Sequence, residues 1–330
     1  MKHYDVCLVG ATGLVGQMFL KILEEVDFPI NRIKLLASKR SAGKIIHFKS
    51  QPLVVEELTD TSFTGYQLAF FSAGGQVSKI YAPIARENGL TVIDNSSAWR
   101  QNPEIGLVIP EVNFQDTALN KLIANPNCST IQAVLPLSVL AKQYQLKNVV
   151  YSTYQAVSGS GQSGIDDLLE TLNGQEPNFY PHNISQTCIP EIDQFLDNGY
   201  TKEEMKMIEE TRKILHLPTL PVTATCVRVP VLNGHGVSVR VELEQEFELQ
   251  AVIEQLQTQE GIIVLNNGNL HEYPISTIAN GTDAVYVGRI RQDLSAPNSL
   301  LFYCVADNIR KGAAANAVQI ALKMAQHQML

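Results

Sequence analysis

Several protein classes are excluded by what the sequence lacks. No apolar run approaches the ~20 residues that a membrane-spanning helix needs. The longest, Ala133 to Ala141, is interrupted by Pro136 and Ser138. There is no long basic run, and 25 Lys and Arg against 33 Asp and Glu leave a net charge of −8, which argues against nucleic acid as the main partner. The five cysteines (Cys7, Cys128, Cys188, Cys226, Cys304) are odd in number, far apart and contain no C-x-x-C pair. Neither a disulfide framework nor a metal site is therefore expected, and free thiols fit a reducing compartment. The opening Met1-Lys2-His3-Tyr4-Asp5 runs straight into an apolar strand pattern, without the apolar stretch and cleavage site of an export signal. The expectation is a cytoplasmic protein. Internal repeats and low-complexity segments are absent too. What is present is globular: 330 residues, 45% apolar and 18% charged, enough chain for about two domains without staples.

The first part alternates short apolar strands with amphipathic helices. Tyr4 to Val9 reads as a buried strand, and Leu14 to Val26 as a helix with Val15, Phe19, Ile22, Leu23 and Val26 on one stripe. Further strands are expected at Ile33 to Ala37, Leu68 to Phe71, Thr91 to Ile93 and Leu122 to Ala124, with a helix from Gln76 to Glu87. Strands alternating with helices mean βαβ units and a parallel sheet. After a helix beginning near Ser129 the pattern changes to longer β-runs: Asn148 to Val157, Val222 to Val231, Val237 to Phe247, Val285 to Ile290 and Leu300 to Ala306. The Asn233-Gly234 pair between the second and third signals a hairpin, so these strands are expected to be antiparallel. Helices are expected at Ile165 to Leu172, Thr201 to Leu215 (opened by a Thr201/Glu204 capping box) and Leu249 to Gln257. Gly174 to Asn198, with Pro177, Pro181 and Pro190, reads as an irregular excursion. The last helix, Ile309 to Gln328, is expected to return to the first domain.

Gly10-Ala11-Thr12-Gly13-Leu14-Val15-Gly16 follows the first strand and opens the first helix. Glycines there let the backbone approach a pyrophosphate at the helix N-terminus; a tight turn without a ligand would look similar. The second strand ends in Ser38-Lys39-Arg40-Ser41 with no carboxylate for ribose hydroxyls, which favours the 2′-phosphate of NADP over NAD. In Asn125-Pro126-Asn127-Cys128-Ser129-Thr130, Cys128 falls at a helix N-terminus, where the dipole favours a thiolate. Cys7, Cys226 and Cys304 lie inside apolar strands and read as inert. His235, flanked by Gly234 and Gly236 at the expected hairpin apex, has the pKa of a proton carrier, or is a surface turn histidine. Arg228, on the strand face shared with Cys226, offers a fork for a carboxylate, or faces solvent. Glu210 and Lys213, three apart on one helix, read by themselves as a surface ion pair.

Together these segments resemble the aspartate-β-semialdehyde dehydrogenase family. The matching pieces are GATGLVG, SSAWR, NPNCST, YSTYQAVSGSG, EETRK, CVRVPV with His235 seven residues beyond its arginine, and DNIRKGAAANAVQ, running in family order from residue 10 to 319. NPNCST is the most specific. N-acetyl-γ-glutamyl-phosphate reductases typically carry a P-G-C-Y segment there and glyceraldehyde-phosphate dehydrogenases S-C-T-T. A non-catalytic nucleotide-binding paralogue would be expected to lose the thiol or the histidine, and both are present.

The resemblance implies an α/β fold: a Rossmann-like parallel-sheet domain (1–127 plus 309–330) and an α+β, glyceraldehyde-phosphate-dehydrogenase-like domain (128–308) with a mainly antiparallel sheet, used for catalysis and homodimer formation. It implies NADPH-dependent reductive dephosphorylation of L-β-aspartyl phosphate to the semialdehyde. Cys128 would be the nucleophile, His235 its acid/base partner and Gln155 an orienting group. Arg228 would grip the substrate carboxylate and Glu210 its amino group, with Arg100 and Lys213 on phosphate. Gly10, Thr12, Gly13, Leu14, Val15, Arg40, Ser41, Ser158, Gly159 and Asn308 would contact NADP.

Overall fold

A computed structural model describes residues 2–330. The chain forms two units, residues 1–126 with 313–330 and residues 127–312. In the first, the strands are β1 (Tyr4–Val9), β2 (Ile30–Ala37), β3 (Ile45–Phe48), β4 (Gln51–Val54), β5 (Glu56–Glu57), β6 (Leu68–Phe71), β7 (Thr91–Asp94) and β8 (Leu122–Ala124), with helices α1 (Leu14–Glu25), α2 (Gly75–Glu87) and the short α3 (Pro110–Asn113). The main sheet has the order β5-β2-β1-β6-β7-β8 and is parallel throughout. The order reverses at β1, with β2 on one side and β6 on the other. The crevice beyond the carboxyl ends of β1 and β6 is therefore the topological switch point, where open sheets of this kind bind ligands. Strands β1, β6, β7 and β8 are buried on both faces, as parallel sheets require, while the start of β2 and the short edge strand β5 are exposed. On α1 the buried stripe is Gly16, Phe19, Leu20, Ile22 and Leu23. Val26, expected on it, is instead the 37% exposed C-cap, because the helix ends one residue earlier. The β3–β4 hairpin was not anticipated: Ile46, Phe48 and Leu53 turn toward the core, but the exposed Ile45 and Val54 on its other face are apolar too, so the alternation is masked.

The second unit contains α4 (Cys128–Gln143), β9 (Leu146–Gln155), α5 (Gln162–Leu172), α6 (Lys202–Ile214), β10 (Val222–Arg228), β11 (His235–Leu243), α7 (Leu249–Thr258), β12 (Ile262–Val264), α8 (Ser276–Ala279), β13 (Val285–Gln292) and β14 (Ser299–Ala306). Residues 174–200 carry no helix or strand. The sheet order is β10-β9-β11-β14-β13-β12. Pairs β9–β11, β11–β14 and β13–β14 are antiparallel, while β9–β10 and β12–β13 are parallel. The sheet is thus mixed, and the expected β10–β11 hairpin does not exist, because β9 lies between the two strands. The link crosses the end of β9: Val229 N–H donates to Gln155 O, Val157 N–H to Val231 O and Ser158 N–H to Leu232 O. Asn233-Gly234 serves as a left-handed corner (Gly234 φ +90°) rather than a two-residue turn.

One face of this sheet is covered. Along β9, Val149, Tyr151, Thr153 and Gln155 are buried, and the alternate residues reach toward solvent. Helix α4 packs on β9, β11 and β14, and α6 on β10. Helix α4 is buried on nearly every side from Ser129 to Leu140, as its apolar sequence without a polar face dictates. The Thr201/Glu204 capping box is formed at the start of α6. After β14 the chain passes through a π-helical turn (Arg310–Ala314) into α9 (Ala315–Gln326). As expected, α9 packs in the first unit, against α1 and α3.

Candidate active site

Cys128 is the first residue of α4. The N-cap Asn127 has extended backbone angles, and its Oδ1 accepts hydrogen bonds from Ser129 N (3.0 Å) and Thr130 N (3.3 Å). The thiol therefore sits at the positive end of a long, firmly capped helix. It is partly accessible, whereas Cys7, Cys226 and Cys304 are buried. Burial pushes the Cys7 thiol up to about 12 and raises those of Cys226 and Cys304 further, which makes them poor nucleophiles. Cys188 is exposed in the irregular segment. A Cβ on Gly312 would lie 2.8 Å from that of Cys128, so only a glycine lets the π-helical turn lie against this cysteine; such turns recur at functional sites.

Two buried carboxylates of α6 hold Asn127. Glu210 Oε2 accepts the Asn127 backbone N–H at 2.6 Å, and Glu203 Oε1 accepts Asn127 Nδ2 at 2.9 Å. Glu210 is fully buried, so it is no surface ion-pair residue. Lys213, one turn on, is half-buried. Glu203 Oε1 also accepts Gln155 Nε2 (3.1 Å), and Gln155 Oε1 accepts Thr153 Oγ1 (3.0 Å). Both ends of the Gln155 amide are thus engaged within the protein. Burial alone would raise the Glu203 carboxyl, but the Lys206 ammonium and the hydrogen bonds from Asn127 and Gln155 outweigh it and hold the group at about 2.

His235 is not at a loop tip. It begins β11 and is fully buried. Its Nδ1 accepts the Ala156 backbone N–H at 2.9 Å, which requires an unprotonated Nδ1 and places the proton of the neutral ring on Nε2. Nε2 is buried without a hydrogen-bond partner. Burial, and then the Arg228 charge, lower the imidazole to about 3. Arg228 is buried and anchored by Nη1 to Ala156 O at 2.6 Å, while its Nε has no hydrogen-bond partner. A Cβ on Gly159 would lie 2.9 Å from Arg228 Nη1 and 3.0 Å from His235 Nε2, so both groups close around this glycine. Strand register makes the assembly: Arg228 on β10 pairs with Gln155 on β9, and Gly236, next to His235, pairs with Tyr154. From α4, Gln132 Nε2 donates to His235 O at 2.9 Å. Gln132 is four residues, one helical turn, beyond Cys128, so α4 turns the nucleophile's face toward β11. Ser158, Asn233 and Asn308 are joined by hydrogen bonds (Ser158 Oγ to Asn233 Oδ1 and Asn308 Nδ2 to Ser158 Oγ, both 2.9 Å), and Asn308 Oδ1 accepts Gly234 N.

In the first unit, a cavity of about 570 Å³ at the switch point is lined by Gly10, Thr12, Gly13, Ser38, Lys39, Arg40, Ser41 and Glu57, among others. Leu14 and Val15 lie in the helix turn beyond and do not line it. Gly10 (φ +86°) is required twice over, since a Cβ there would meet Ser72 O at 2.3 Å. Gly13 is the N-cap of α1. A glycine-lined cavity with a helix N-terminus behind it has the geometry that suits a pyrophosphate. The end of β2 brings cations, as read from the sequence, but β5 adds the carboxylate of Glu57 through its pairing with Ala37, which strand-end reading missed. Arg100 is braced by Nε on Asn125 O and Nη2 on Asn95 O, both 2.9 Å. Among the described residues, no His, Cys, Asp and Glu cluster could hold a metal ion, and no helix is long and apolar enough to cross a membrane.

The residues that motif reading missed are Asn127 as cap, Glu203, Gln132 and Gly312. Glu203 reads in sequence as an acidic first-turn residue of a capped helix; only the tertiary fold turns it inward.

Comparison with known proteins agrees with this architecture. The family model for the semialdehyde dehydrogenase NAD binding domain matches residues 5–120, and that for the semialdehyde dehydrogenase dimerisation domain matches residues 137–311. The chain is 49% identical over 329 residues to an aspartate-semialdehyde dehydrogenase of Aquifex aeolicus, covering 96% of this chain and 97% of that one. With the enzyme of the same name from Bacillus subtilis it is 46% identical over 335 residues, 97% of each. The crystal structure of aspartate semialdehyde dehydrogenase II from Vibrio cholerae complexed with ASA superposes with a TM-score of 0.95 at 42% identity, over 99% of both chains. With that degree of identity over nearly its whole length, and with the capped cysteine and nucleotide cradle in place, the chain belongs to the aspartate-semialdehyde dehydrogenase family.

Proposed function

We propose that this protein catalyses the NADPH-dependent reductive dephosphorylation of L-β-aspartyl phosphate to L-aspartate 4-semialdehyde, in the cytoplasmic route to lysine, threonine and methionine. The observation that carries this reading is Cys128 as first residue of the Asn127-capped helix, within the same unit as the buried His235 and Arg228.

The Cys128 thiolate attacks the acyl carbon, and backbone N–H groups at the start of α4 stabilise the oxyanion. The C–O bond to phosphate breaks, the electron pair leaves with phosphate, and a thioester on Cys128 remains. Arg100 and Lys213 are the groups assigned to phosphate. A reduced nicotinamide, when bound in the first unit's cavity, would supply the hydride that reduces the thioester. Collapse of the resulting hemithioacetal returns the Cys128 sulfur and releases the aldehyde. Two displacements thus replace one difficult acyl reduction. Arg228 takes the substrate carboxylate, since a buried guanidinium with an unpaired Nε calls for an anion. Glu210, already holding Asn127, takes the ammonium group. His235, neutral with its proton on Nε2, gives a hydrogen bond to the reacting oxygen, so in the resting enzyme it is a donor and not the base for Cys128. Gln155 orients this centre through Glu203.

The switch-point cradle fits a dinucleotide, with Thr12 and Gly13 at the pyrophosphate. Lys39, Arg40 and Ser41 support NADP over NAD. Ser158, Gly159 and Asn308 are assigned to the nicotinamide side. The second unit is assigned to homodimer formation. Cys128→Ala should abolish turnover and acyl-enzyme formation while cofactor affinity persists; retained turnover refutes the reading. Arg40→Ala should weaken NADPH more than NADH.

A further inference from the structure

We propose that Glu203 is a positioning residue of the reaction: its carboxylate, held by Lys206, ties the cap of the nucleophile helix to Gln155 and keeps both in register. This rests on the reading of Cys128 as nucleophile.

One oxygen, Oε1, takes two hydrogen bonds from two elements. Asn127 Nδ2 reaches it from the start of α4 at 2.9 Å, and Gln155 Nε2 from the end of β9 at 3.1 Å. Holding Nδ2 fixes the Asn127 amide so that its Oδ1 faces Ser129 and Thr130. The cap on which the Cys128 environment depends is therefore set from α6. The other oxygen, Oε2, pairs with Lys206 Nζ at 3.0 Å, and Lys206 also pairs with Asp193 at 2.8 Å. A neutral amide in its place could accept from both Asn127 and Gln155 only by turning its own NH2 toward the Lys206 ammonium, donor against donor. A buried carboxylate is expensive unless paired, and here a lysine is spent on keeping it charged. The titratable groups around it are Lys206 on its own helix, Asp193 from the irregular segment, Glu204 and Glu210 on α6, the neutral Cys226 on β10 and the neutral His235 on β11, with Cys128 next to the Asn127 that it holds. Its negative charge opposes thiolate formation at Cys128 while the helix dipole favours it, leaving a thiolate that is available without being unreactive.

The test compares Glu203→Gln, Glu203→Asp and Lys206→Met in the full-length enzyme. Measurements are steady-state kinetics and the pH dependence of iodoacetamide alkylation of Cys128. Glu203→Gln should lower kcat about tenfold or more with the KM for NADPH unchanged, and should move the alkylation midpoint to lower pH because a negative charge is gone. Loss of a merely structural contact would loosen the cap and move the midpoint upward. Glu203→Asp keeps the charge but is too short to reach both amides, so its kcat should fall without the shift of the midpoint to lower pH. Lys206→Met, at a partly exposed position, serves if the Glu203 variants fold poorly: the acid limb of kcat should move to higher pH as the carboxylate loses its cation. A kcat for Glu203→Gln within twofold of wild type, a midpoint that stays or rises, or an unmoved acid limb in Lys206→Met overturns the proposal. If Cys128→Ala is dead while these variants behave as wild type, the positioning role alone fails; if Cys128→Ala is active, the assignment beneath it fails.

Discussion

The buried imidazole of His235 makes a prediction whose sign separates two pictures of the site. Its pKa lies near 3, lowered first by burial and then by Arg228, against about 6.5 in an unfolded chain. Between those values the unfolded chain binds a proton that the folded protein refuses. Stability should therefore fall with falling pH across this window, by about 1.4 kcal/mol per pH unit. From pH 7.5 to pH 5.0 this amounts to about 2 kcal/mol. His235→Gln has no such term, and every other titrating group is common to both proteins. Urea unfolding of wild type and variant at the two pH values isolates it. The variant is expected to be less stable at pH 7.5, because Ala156 N–H loses its acceptor, and the gap should shrink by about 2 kcal/mol at pH 5.0. Were His235 instead an imidazolium paired with the Cys128 thiolate, its folded pKa would be raised and the gap would widen on acidification. A widening or constant gap refutes the neutral, Nε2-protonated ring. Histidine Cε1–H resonances give an independent reading: the signal lost in His235→Gln should not titrate above pH 5.

Other perturbations test neighbouring parts of the site. Arg228→Lys keeps a cation but loses the planar fork, so kcat/KM for the phosphorylated substrate should fall about ten- to a hundredfold while NADPH binding persists; equal damage to both, by kinetics and cofactor titration, would count against a carboxylate role. Gly312→Ala places a methyl 2.8 Å from Cys128 Cβ and should destabilise by about 1–3 kcal/mol, with slower Cys128 alkylation, read by denaturation and by mass spectrometry. Glu57→Gln removes the one carboxylate set among the cations of the nucleotide cavity; NADPH affinity should rise about two- to fivefold relative to NADH, measured by fluorescence titration.

The first unit was legible in the sequence because its signals are local. A glycine-rich turn between an apolar strand and an amphipathic helix specifies β1, Gly10 and α1 within a short stretch of chain, and parallel strands buried on both faces read as plain apolar runs. The β3–β4 hairpin escaped because apolar Ile45 and Val54 on its exposed face mask the inward alternation of Ile46, Phe48 and Leu53. In the second unit, the helix start at Cys128 was equally local. The setting of His235 was not: Asn233-Gly234 is a hairpin signal only if the flanking strands are neighbours, and the insertion of β9 between them is a choice of the whole sheet. That choice converts an expected surface histidine into a buried one. Likewise Glu203 and Glu210, polar residues in an acidic helix, become interior groups only because α6 packs beside the start of α4.

The placement of β9 between β10 and β11 also bears on how the enzyme matures. Gln155 comes from β9, Arg228 from β10 and His235 from β11, and the partners are far apart in sequence. A slip of one residue in either pairing would turn the alternate side chains outward and scatter the three groups. Activity per folded molecule is thus a counter of correctly registered sheets. In refolding experiments, regained turnover should lag behind regained helix signal, since α4 and α6 can coil locally while two long-range strand alignments must still be found.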